Sequence, residues 1–448
     1  MKHLLTRADE RLRALLLKEQ DTIVLMSSVV VFWLAFAFVL WRMPLAQLDG
    51  AGFVQRMVAV FLLDLPLMVM FGFAVCAGFG RSMLHTLCLL GVCVVGMLLR
   101  LCFLDHVSSD FEIYLSDWLQ RLGAGSFSAG MRERIGDYNV LYQYLLFLVS
   151  QLDVPPLYGV KLMSFFGDVL LAGAATYLAG EGKRYDPLAL CAVLLLPTCA
   201  LDGGMFAQCD SLYAACALWG LALALRGKPA GSAACFALSL AFKLQAVFLL
   251  PIVAVLWAAG RLRLSDALVF LGTLVLTALP ALLGGKGVGQ ILAIYMGQTG
   301  LYTGLTYNAP TLFGLMNTAG LNVYAYGSFG IALAMGALLA LLAFALPRAR
   351  RMDAEDFLRT ALLMVLLVVF CLPRMHERYF FLAGALAVAL AARSRRALPA
   401  AVLIELASLS TVLDLGIPLR DTSVMMLAAI VLTAFDAKRA CEAQKSCV

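Results

Sequence analysis

The sequence predicts an all-α, polytopic transmembrane protein. Of its 448 residues, 62% are hydrophobic and only 14% are charged. The mean hydropathy is +0.91, and apolar runs recur along the whole chain instead of forming a single anchor. Short turns with basic residues separate these runs, as in multi-span membrane proteins. Because the net charge of +6 is carried mostly by such turns, it reports on membrane orientation, and nucleic-acid binding is not expected.

About fourteen apolar runs are predicted to be membrane segments. Several are shorter than the roughly 20 residues that a straight spanning helix needs, so we expect broken or partly buried helices among them. The first run follows a charged stretch and lacks a small-residue cleavage site, which favours a retained span over a signal peptide. The runs are Ile23–Trp41, Met57–Gly78, Met83–Leu104, Leu157–Leu178, Leu188–Leu201, Ser211–Leu225, Gly231–Phe242, Ala246–Ala259, Ala267–Leu283, Val323–Leu346, Leu358–Leu372, Tyr379–Ala392, Ala400–Leu413 and Val424–Phe435.

The basic residues predict the orientation of the chain. If the basic N-terminus is cytoplasmic and the sides alternate, every predicted cytoplasmic turn carries a basic residue. The same alternation places four polar segments on the outer side, namely Asp105–Val154, Leu201–Ser211, Gly284–Asn322 and Pro373–Tyr379. Both termini are therefore expected inside, and the two longest loops outside.

The chain is predicted to form one membrane-embedded domain, because no soluble domain, phosphate-binding loop or coiled coil is recognisable. Its parts are N-terminal helices over 1–104, a first outer loop over 105–156, core helices over 157–283, a second outer loop over 284–322 and C-terminal helices over 323–448. The twelve cysteines lie mostly inside apolar runs without metal-ligand spacing, so we expect them to pack in the interior.

The first outer loop contains an amphipathic pattern. Within Ser109–Gly123, five apolar residues recur at helical spacing behind a serine–aspartate cap, which predicts a helix at the membrane surface. They are Phe111, Leu115, Trp118, Leu119 and Leu122. The apolar stretch Asn139–Leu152 is too short to span and is expected to enter the membrane and return.

Carboxylates in this loop are the first candidates for chemistry. Asp110 stands at the start of the predicted surface helix, where an N-cap role would also explain an aspartate, although Ser108 or Ser109 could serve as the cap. Glu112 and Asp137 lie in the same loop. No Asp-x-Asp pair indicates a metal site, so no cofactor is expected to be required and dependence on a divalent metal stays open.

Cationic residues gather in two other places. His376 and Arg378, with Arg374 and Glu377 beside them, stand between two apolar runs on the predicted outer side, where the positive-inside trend disfavours arginine. This pattern favours an anion-binding site over a solvated loop. Lys243 also separates two apolar runs, so it either faces an internal cavity or extends to the membrane interface.

Polar residues in further outer segments could bind sugar hydroxyls. Asp202, Gln208 and Asp210 share one segment, and Tyr307 and Asn308 stand in another. Each by itself is also explained by turn formation, since Asp-Gly-Gly and Asn-Ala-Pro favour turns.

Six stretches carry a resemblance to a known family. In order they are SSDFEIYLSDWLQRL, GDYNVLYQYLLFL, MFAQCDSLYA, LAFKLQAVFLLP, LTYNAPTLFGL and LPRMHERYFF, between Ser108 and Phe381. The order resembles that of bacterial membrane proteins similar to the glycosylphosphatidylinositol mannosyltransferase II family. These belong to the GT-C glycosyltransferases, which also include the dolichyl-phosphate-glucose-dependent enzymes. Two spans before Met83 depart from the commonest layout of that family.

The resemblance implies an inverting transfer of mannose or glucose from a polyprenyl-phosphate donor. The acceptor would be a lipid-linked glycan or a cell-envelope polymer, at the extracytoplasmic face of the bacterial inner membrane. It also implies that Asp110 is the general base and that His376 and Arg378 bind the donor phosphate. From the charge pattern, Arg374 and Lys243 are further candidates for the phosphate, and Asp137 is the alternative base because it lies in the same loop. The residues expected to contact sugar or acceptor are Glu112, Asp137, Tyr138, Asn139, Gln208, Asp210, Gln245, Tyr307, Asn308 and Glu377.

A transporter or flippase for a lipid or anion is the alternative function, with the same arginines as its binding site. Transporters usually place charges near the membrane midplane on repeated, broken helices. The sequence has no convincing internal repeat, and its charges cluster at the outer rim of the predicted spans. These observations favour a transferase, which needs a base for the acceptor hydroxyl and cations for the leaving phosphate.

Overall fold

The computed structural model describes residues 53–78, 82–136, 138–180, 185–297, 302–316, 318 and 320–446. The protein is about 77% helical, which confirms the all-α prediction. The strands of the described residues are two short ones, β1 (Thr306–Tyr307) and β2 (Met375–His376), which pair in parallel. The first predicted span, Ile23–Trp41, lies outside the described residues.

The helices follow the predicted apolar runs closely. They are α1 (Phe53–Gly78), α2 (Met83–Leu101), α3 (Ser116–Gly123), α4 (Phe127–Arg132), α5 (Val140–Ser150), α6 (Pro156–Ala179), α7 (Pro187–Leu195), α8 (Pro197–Gly204), α9 (Asp210–Leu225), α10 (Pro229–Phe242), α11 (Ile252–Ala258), α12 (Asp266–Leu283), α13 (Val288–Gly297), α14 (Val323–Ala345), α15 (Ala354–Cys371), α16 (Phe381–Arg393), α17 (Leu398–Val412) and α18 (Leu419–Ser446). Short 3-10 helices at Leu244–Phe248, Leu312–Leu315, Leu346–Arg351 and Arg395–Ala397 connect some of them.

Fewer helices could cross a membrane than the about fourteen predicted. By length and composition four described helices qualify, within α2, α6, α12 and α14 with its 3-10 extension, and a fifth if α7 and α8 form one bent span. Several of the other described apolar helices are too short to span a bilayer. For example, α9, α10 and α16 have only 16, 14 and 13 residues because turns interrupt them.

The break between α7 and α8 is the broken helix that the short apolar runs predicted. The two helices meet at 53°. Leu196 has extended backbone angles there, as expected for a residue before proline. The Arg100 guanidinium donates to the Leu194 carbonyl at 2.8 Å and to Asp168 at 2.6 Å, so a buried ion pair satisfies the carbonyl that the break exposes.

The core lies where the central helices meet. Helix α9 packs between α6 and α10, and α16 also contacts α6 and α9. Small residues allow these close approaches: a Cβ on Gly220 of α9 would lie 2.9 Å from the Phe236 ring of α10. The central helices therefore hold the connections at their ends in fixed positions.

The first outer loop differs from its prediction in two respects. A π-helical turn over Phe111–Leu115 precedes α3, so the segment is not one regular helix. The five apolar residues are buried as the spacing predicts, but they pack in one cluster with Val140, Tyr142 and Leu146 of α5. Protein thus covers the face that was predicted to lie on the membrane.

Candidate functional site

Segments from six parts of the chain converge on one cavity of about 700 Å³. They follow α2, α4, α8, α10, α13 and α15, so residues far apart in sequence face a common space. The cavity is lined by Asp110, Tyr114, Leu115, Trp118, Arg134, Gly136, Tyr138, Asn139, Gln208, Phe242, Lys243, Gln245, Tyr302, His376, Glu377, Arg378 and Tyr379. Its size suits a small-molecule ligand.

Asp110 does not use its side chain as a helix cap. The Ser108 hydroxyl instead accepts the Phe111 backbone N–H, at 3.3 Å. The widened π-helical turn begins immediately after Asp110, and such turns are frequent at functional sites. Because Ser108 caps the turn, the Asp110 carboxylate is available to the cavity.

A chain of hydrogen bonds orients Asp110. The Gln208 amide N–H₂ donates to Asp110 Oδ2 at 2.7 Å, and the Tyr138 hydroxyl donates to Gln208 Oε1 at 3.2 Å. Gln208 itself is held because its backbone N–H donates to the Asp202 carbonyl at 2.9 Å. The sequence-predicted residues Tyr138 and Gln208 therefore act here by positioning the carboxylate.

Arg378 lies at the centre of the charged groups. Its Nη1 donates to Asp110 Oδ2 at 3.1 Å and lies 3.7 Å from Glu377 Oε1. Its Nε lies 3.7 Å from Asp210 Oδ2 and donates no hydrogen bond although it is buried. The guanidinium is therefore shared among three carboxylates, and part of its donor capacity is open to an anion.

Lys243 and Asp210 form a buried ion pair beside Arg378. Lys243 Nζ lies 2.6 Å from Asp210 Oδ1, and the side chains are 9% and 1% exposed. Asp210 is the first residue of α9 and Lys243 directly follows α10, so each charge stands at the helix end whose dipole favours it. Lys243 faces the cavity instead of extending to an interface, which decides between the two sequence interpretations.

His376 is held by the β1–β2 pairing. It is in register with Tyr307, whose ring stacks on the imidazole with centroids 4.8 Å apart, and Tyr302 contacts its edge. Burial, followed by the positive charges of Arg378 and Lys243, lowers the pKa of His376 from 6.5 to about 4. The imidazole is therefore neutral near pH 7, which corrects its prediction as a cation. Its Nε2 is buried without a hydrogen-bond partner.

Several sequence-predicted residues do not line the cavity. Glu112 is exposed on the outer side of the π-helical turn. Arg374 precedes β2 with a φ of +65°, and its backbone N–H donates to Leu305. Tyr307 supports His376 from behind, and the Asn308 side chain donates to the Thr411 carbonyl at 2.8 Å. These four residues shape the surroundings of the site.

The remaining candidates divide between the cavity and the undescribed part of the chain. Gln245, Glu377 and Asn139 line the cavity. Asn139 also donates to the Leu240 carbonyl at 2.9 Å, which ties the start of α5 to α10. Asp137 lies outside the described residues, so its place as the alternative base stays a prediction.

Sequence reasoning missed the aromatic walls of the cavity. Tyr114, Trp118 and Tyr302 line it, together with Arg134. Trp118 was interpreted only as part of an apolar helix face, although its burial leaves one side of the indole at the cavity. Aromatic faces are suited to stacking on sugar rings or to contact with an apolar chain. The signal for Arg134 was its basic charge in a loop predicted to lie outside.

The arrangement combines an oriented carboxylate with cations in one cavity. A carboxylate such as Asp110 can accept a proton, and Arg378 and Lys243 can stabilise negative charge on a neighbouring group. Among the residues that the structure describes, no group of three or more His, Cys, Asp or Glu side chains is placed to hold a metal ion. No protein-family model matches the chain, and comparison with curated proteins finds no match either.

Proposed function

We propose that the protein is an inverting glycosyltransferase that moves a hexose, mannose or glucose, from a polyprenyl-phosphate donor to a lipid-linked glycan or cell-envelope polymer. The observation that carries this proposal is the placement of Asp110, Arg378 and Lys243 in one cavity. Sugar transfer from a phosphate needs a base for the acceptor hydroxyl and cations for the leaving phosphate. The sequence resemblance to GT-C enzymes supports the same function.

The reaction is a single displacement. The acceptor hydroxyl oxygen attacks the anomeric carbon, its proton passes to Asp110, and the bond between the anomeric carbon and the phosphate oxygen breaks. The electron pair leaves with the polyprenyl phosphate, whose added charge Arg378 and Lys243 stabilise. In the tautomer that carries its proton on Nε2, the neutral His376 donates a hydrogen bond to the phosphate.

Arg378 also links donor binding to the surroundings of Asp110. It pairs with Asp110 at 3.1 Å, and a donor phosphate would compete for the same guanidinium. When Arg378 turns to the phosphate, its ion pair with Asp110 is broken, and the Asp110 carboxylate is open to the acceptor hydroxyl.

The proposal is tested with purified protein, polyprenyl-phosphate mannose or glucose, and candidate acceptors, with mass spectrometry of the product. Nucleotide sugars serve as the donor control and should give no product. Arg378→Ala should weaken donor binding by about 1.5–3 kcal/mol, roughly 10- to 150-fold. Arg374→Ala is the matched control, because that arginine does not line the cavity, and it should have a much smaller effect.

The orientation of the site is part of the proposal. We place the cavity on the extracytoplasmic face of the inner membrane, with both termini in the cytoplasm. Cysteine labelling at Ser126, in the first outer loop, and at Ser394, after α16, tests this placement. Only position 126 should react with a reagent that cannot cross the membrane, and outside labelling of position 394 would contradict it.

A lipid or anion transporter is the second candidate, and the bent pair α7–α8 favours it, because transporters bind substrates beside broken membrane helices. The same preparations distinguish the two functions. A transporter reconstituted in vesicles would move polyprenyl-phosphate sugar between leaflets and form no glycosylated product. A transferase would form product in detergent, where no leaflets exist.

A further inference from the structure

A second, smaller cavity lies directly behind the charged cluster. Its volume is about 50 Å³, and it shares Gln208, Glu377 and Arg378 with the larger cavity. Polar side chains from α8 and α17 line its inner part, among them Asp202 and Glu405. Because a water molecule needs roughly 10–15 Å³ of such space, the cavity can hold only a few waters or one small ion with them.

Two side-chain oxygen atoms of this cavity lack hydrogen-bond donors. Asp202 is only 4% exposed, and its Oδ2 is buried without a hydrogen-bond partner. The Ser408 hydroxyl oxygen, in a residue that is 5% exposed, is also buried without one. Two independent polar groups, on α8 and on α17, thus reach into the cavity unpaired. A buried carboxylate in that condition is unfavourable unless a cation or water compensates it.

Glu405 and Thr198 add further oxygen atoms. Thr198 donates both its backbone N–H and its hydroxyl to the two Glu405 carboxylate oxygens, each at 2.8 Å. Because its hydrogen is directed at Glu405, the Thr198 hydroxyl presents only lone pairs to its other neighbours. Besides Glu377, which is shared with the larger cavity, the lining therefore holds the carboxylates of Asp202 and Glu405 and two hydroxyl oxygens, a set that suits a hard cation.

We propose that this cavity binds a small monovalent cation, Na⁺, through Asp202, Glu405, Thr198 and Ser408. The four side chains offer fewer oxygen ligands than the about 6–8 that Ca²⁺ takes, and a cavity of about 50 Å³ has little room for the several waters that Mg²⁺ keeps, which favours a monovalent ion. The site also adjoins α8, the second half of the broken helix, and broken membrane helices are where Na⁺ sites form. This inference does not depend on the proposed transferase function.

The cation would support the active cavity from behind. The Asp202 backbone carbonyl accepts the Gln208 N–H at 2.9 Å, and Gln208 in turn holds Asp110 at 2.7 Å. Neutralising Asp202 fixes the end of α8 and with it the Gln208 side chain. Na⁺ would therefore stabilise the fold and the orientation of Asp110 together, without contacting substrate.

The test measures the thermal stability of the purified full-length protein while NaCl replaces choline chloride at constant ionic strength. A ligand that binds only the folded state raises the melting temperature, here by an expected shift of about 2 °C or more at saturating Na⁺. Asp202→Asn and Glu405→Gln should abolish the shift. Asp436→Asn is the control, because this buried carboxylate pairs with Arg359 elsewhere, and it should keep the shift.

Two results would overturn the proposal. One is equal melting temperatures in NaCl and choline chloride, and the other is a full Na⁺-dependent rise in the melting temperature of Asp202→Asn. If Asp202→Asn and Glu405→Gln fail to fold, Ser408→Ala provides the test, because it removes one neutral ligand. That variant should need several-fold more Na⁺ for half of the shift, and an unchanged Na⁺ midpoint would also overturn the site.

Discussion

Asp110→Asn separates the proposed catalytic role of this carboxylate from its structural role. The substitution keeps the size of the side chain but removes its charge and its ability to take up a proton. In the structure one oxygen, Oδ2, accepts from both Gln208 and Arg378, at 2.7 and 3.1 Å. The asparagine oxygen can still accept a hydrogen bond, so the loss is mainly the charge next to Arg378.

The expected loss of stability is small. The Asp110 side chain is 36% exposed, and solvent-screened pairs of this kind contribute about 0.2–1 kcal/mol. The helix cap is unaffected because Ser108 provides it. The free energy of unfolding should therefore fall by no more than about 1 kcal/mol. The rate of sugar transfer should fall by ~10²–10⁴, the usual contribution of a positioned base.

Donor affinity distinguishes this prediction from simple damage to the site. Removing the Asp110 charge leaves Arg378 freer to bind phosphate, so the affinity for polyprenyl-phosphate hexose should stay equal or increase. The assay is donor binding at equilibrium together with single-turnover transfer. Asp117→Asn is the matched control, since it changes an exposed carboxylate of the same loop that pairs with Arg121, and its activity should be near wild type.

Two results would refute this reasoning. Transfer by Asp110→Asn within a few-fold of wild type would exclude Asp110 as the base, and inactivity of Asp137→Asn would then assign the base to Asp137. Weaker donor binding by Asp110→Asn would show that the carboxylate helps to hold the donor, against the competition for Arg378.

Three further predictions concern the surroundings of Asp110. Lys243→Ala should lower the free energy of unfolding by about 3–5 kcal/mol, because it leaves the Asp210 carboxylate buried and unpaired. Adding Asp210→Asn should restore part of this loss. Equal stability of the single and the double variant would contradict this explanation. The pKa of His376 is about 4 in the folded protein and 6.5 in the unfolded chain. Between these pH values the unfolded chain binds more protons than the folded protein, so the free energy of unfolding decreases as the pH falls from 6.5 toward 4. The loss at pH 5 is about 2 kcal/mol, and His376→Gln should show a smaller drop in melting temperature between pH 7.5 and 5. Gly136→Ala should destabilise the protein by about 1–3 kcal/mol, measured by thermal unfolding, because φ is +49° and the new Cβ would lie 2.4 Å from the Trp118 ring.

Apolar periodicity determined the helices because burial or lipid contact requires long apolar runs with satisfied backbones. The predicted run Leu157–Leu178 became Pro156–Ala179, and Ala267–Leu283 became Asp266–Leu283. The number of spans was overestimated because hydropathy does not distinguish a core helix such as α9 from one in lipid. Both need apolar surfaces, and only the packing partners differ.

Some charges inside apolar runs were available signals that sequence reasoning left unused. Arg100, Asp168 and Glu405 each stand within such a run, where an ionisable residue indicates a buried partner or a site. The partners themselves are 68 residues apart for Arg100 and Asp168, and 207 for Thr198 and Glu405. No local pattern specifies a pairing across such distances.

The sequence alone determined an all-α fold, the ends of most helices and the set of polar segments that could hold chemistry. Tertiary structure alone decided that Asp110 meets Arg378 across 268 residues and that Lys243 pairs with Asp210. It also decided that His376 is neutral, because desolvation and neighbouring cations set its pKa. The physical reason is that helix formation depends on neighbours in sequence, whereas the charge state and role of a side chain depend on neighbours in space.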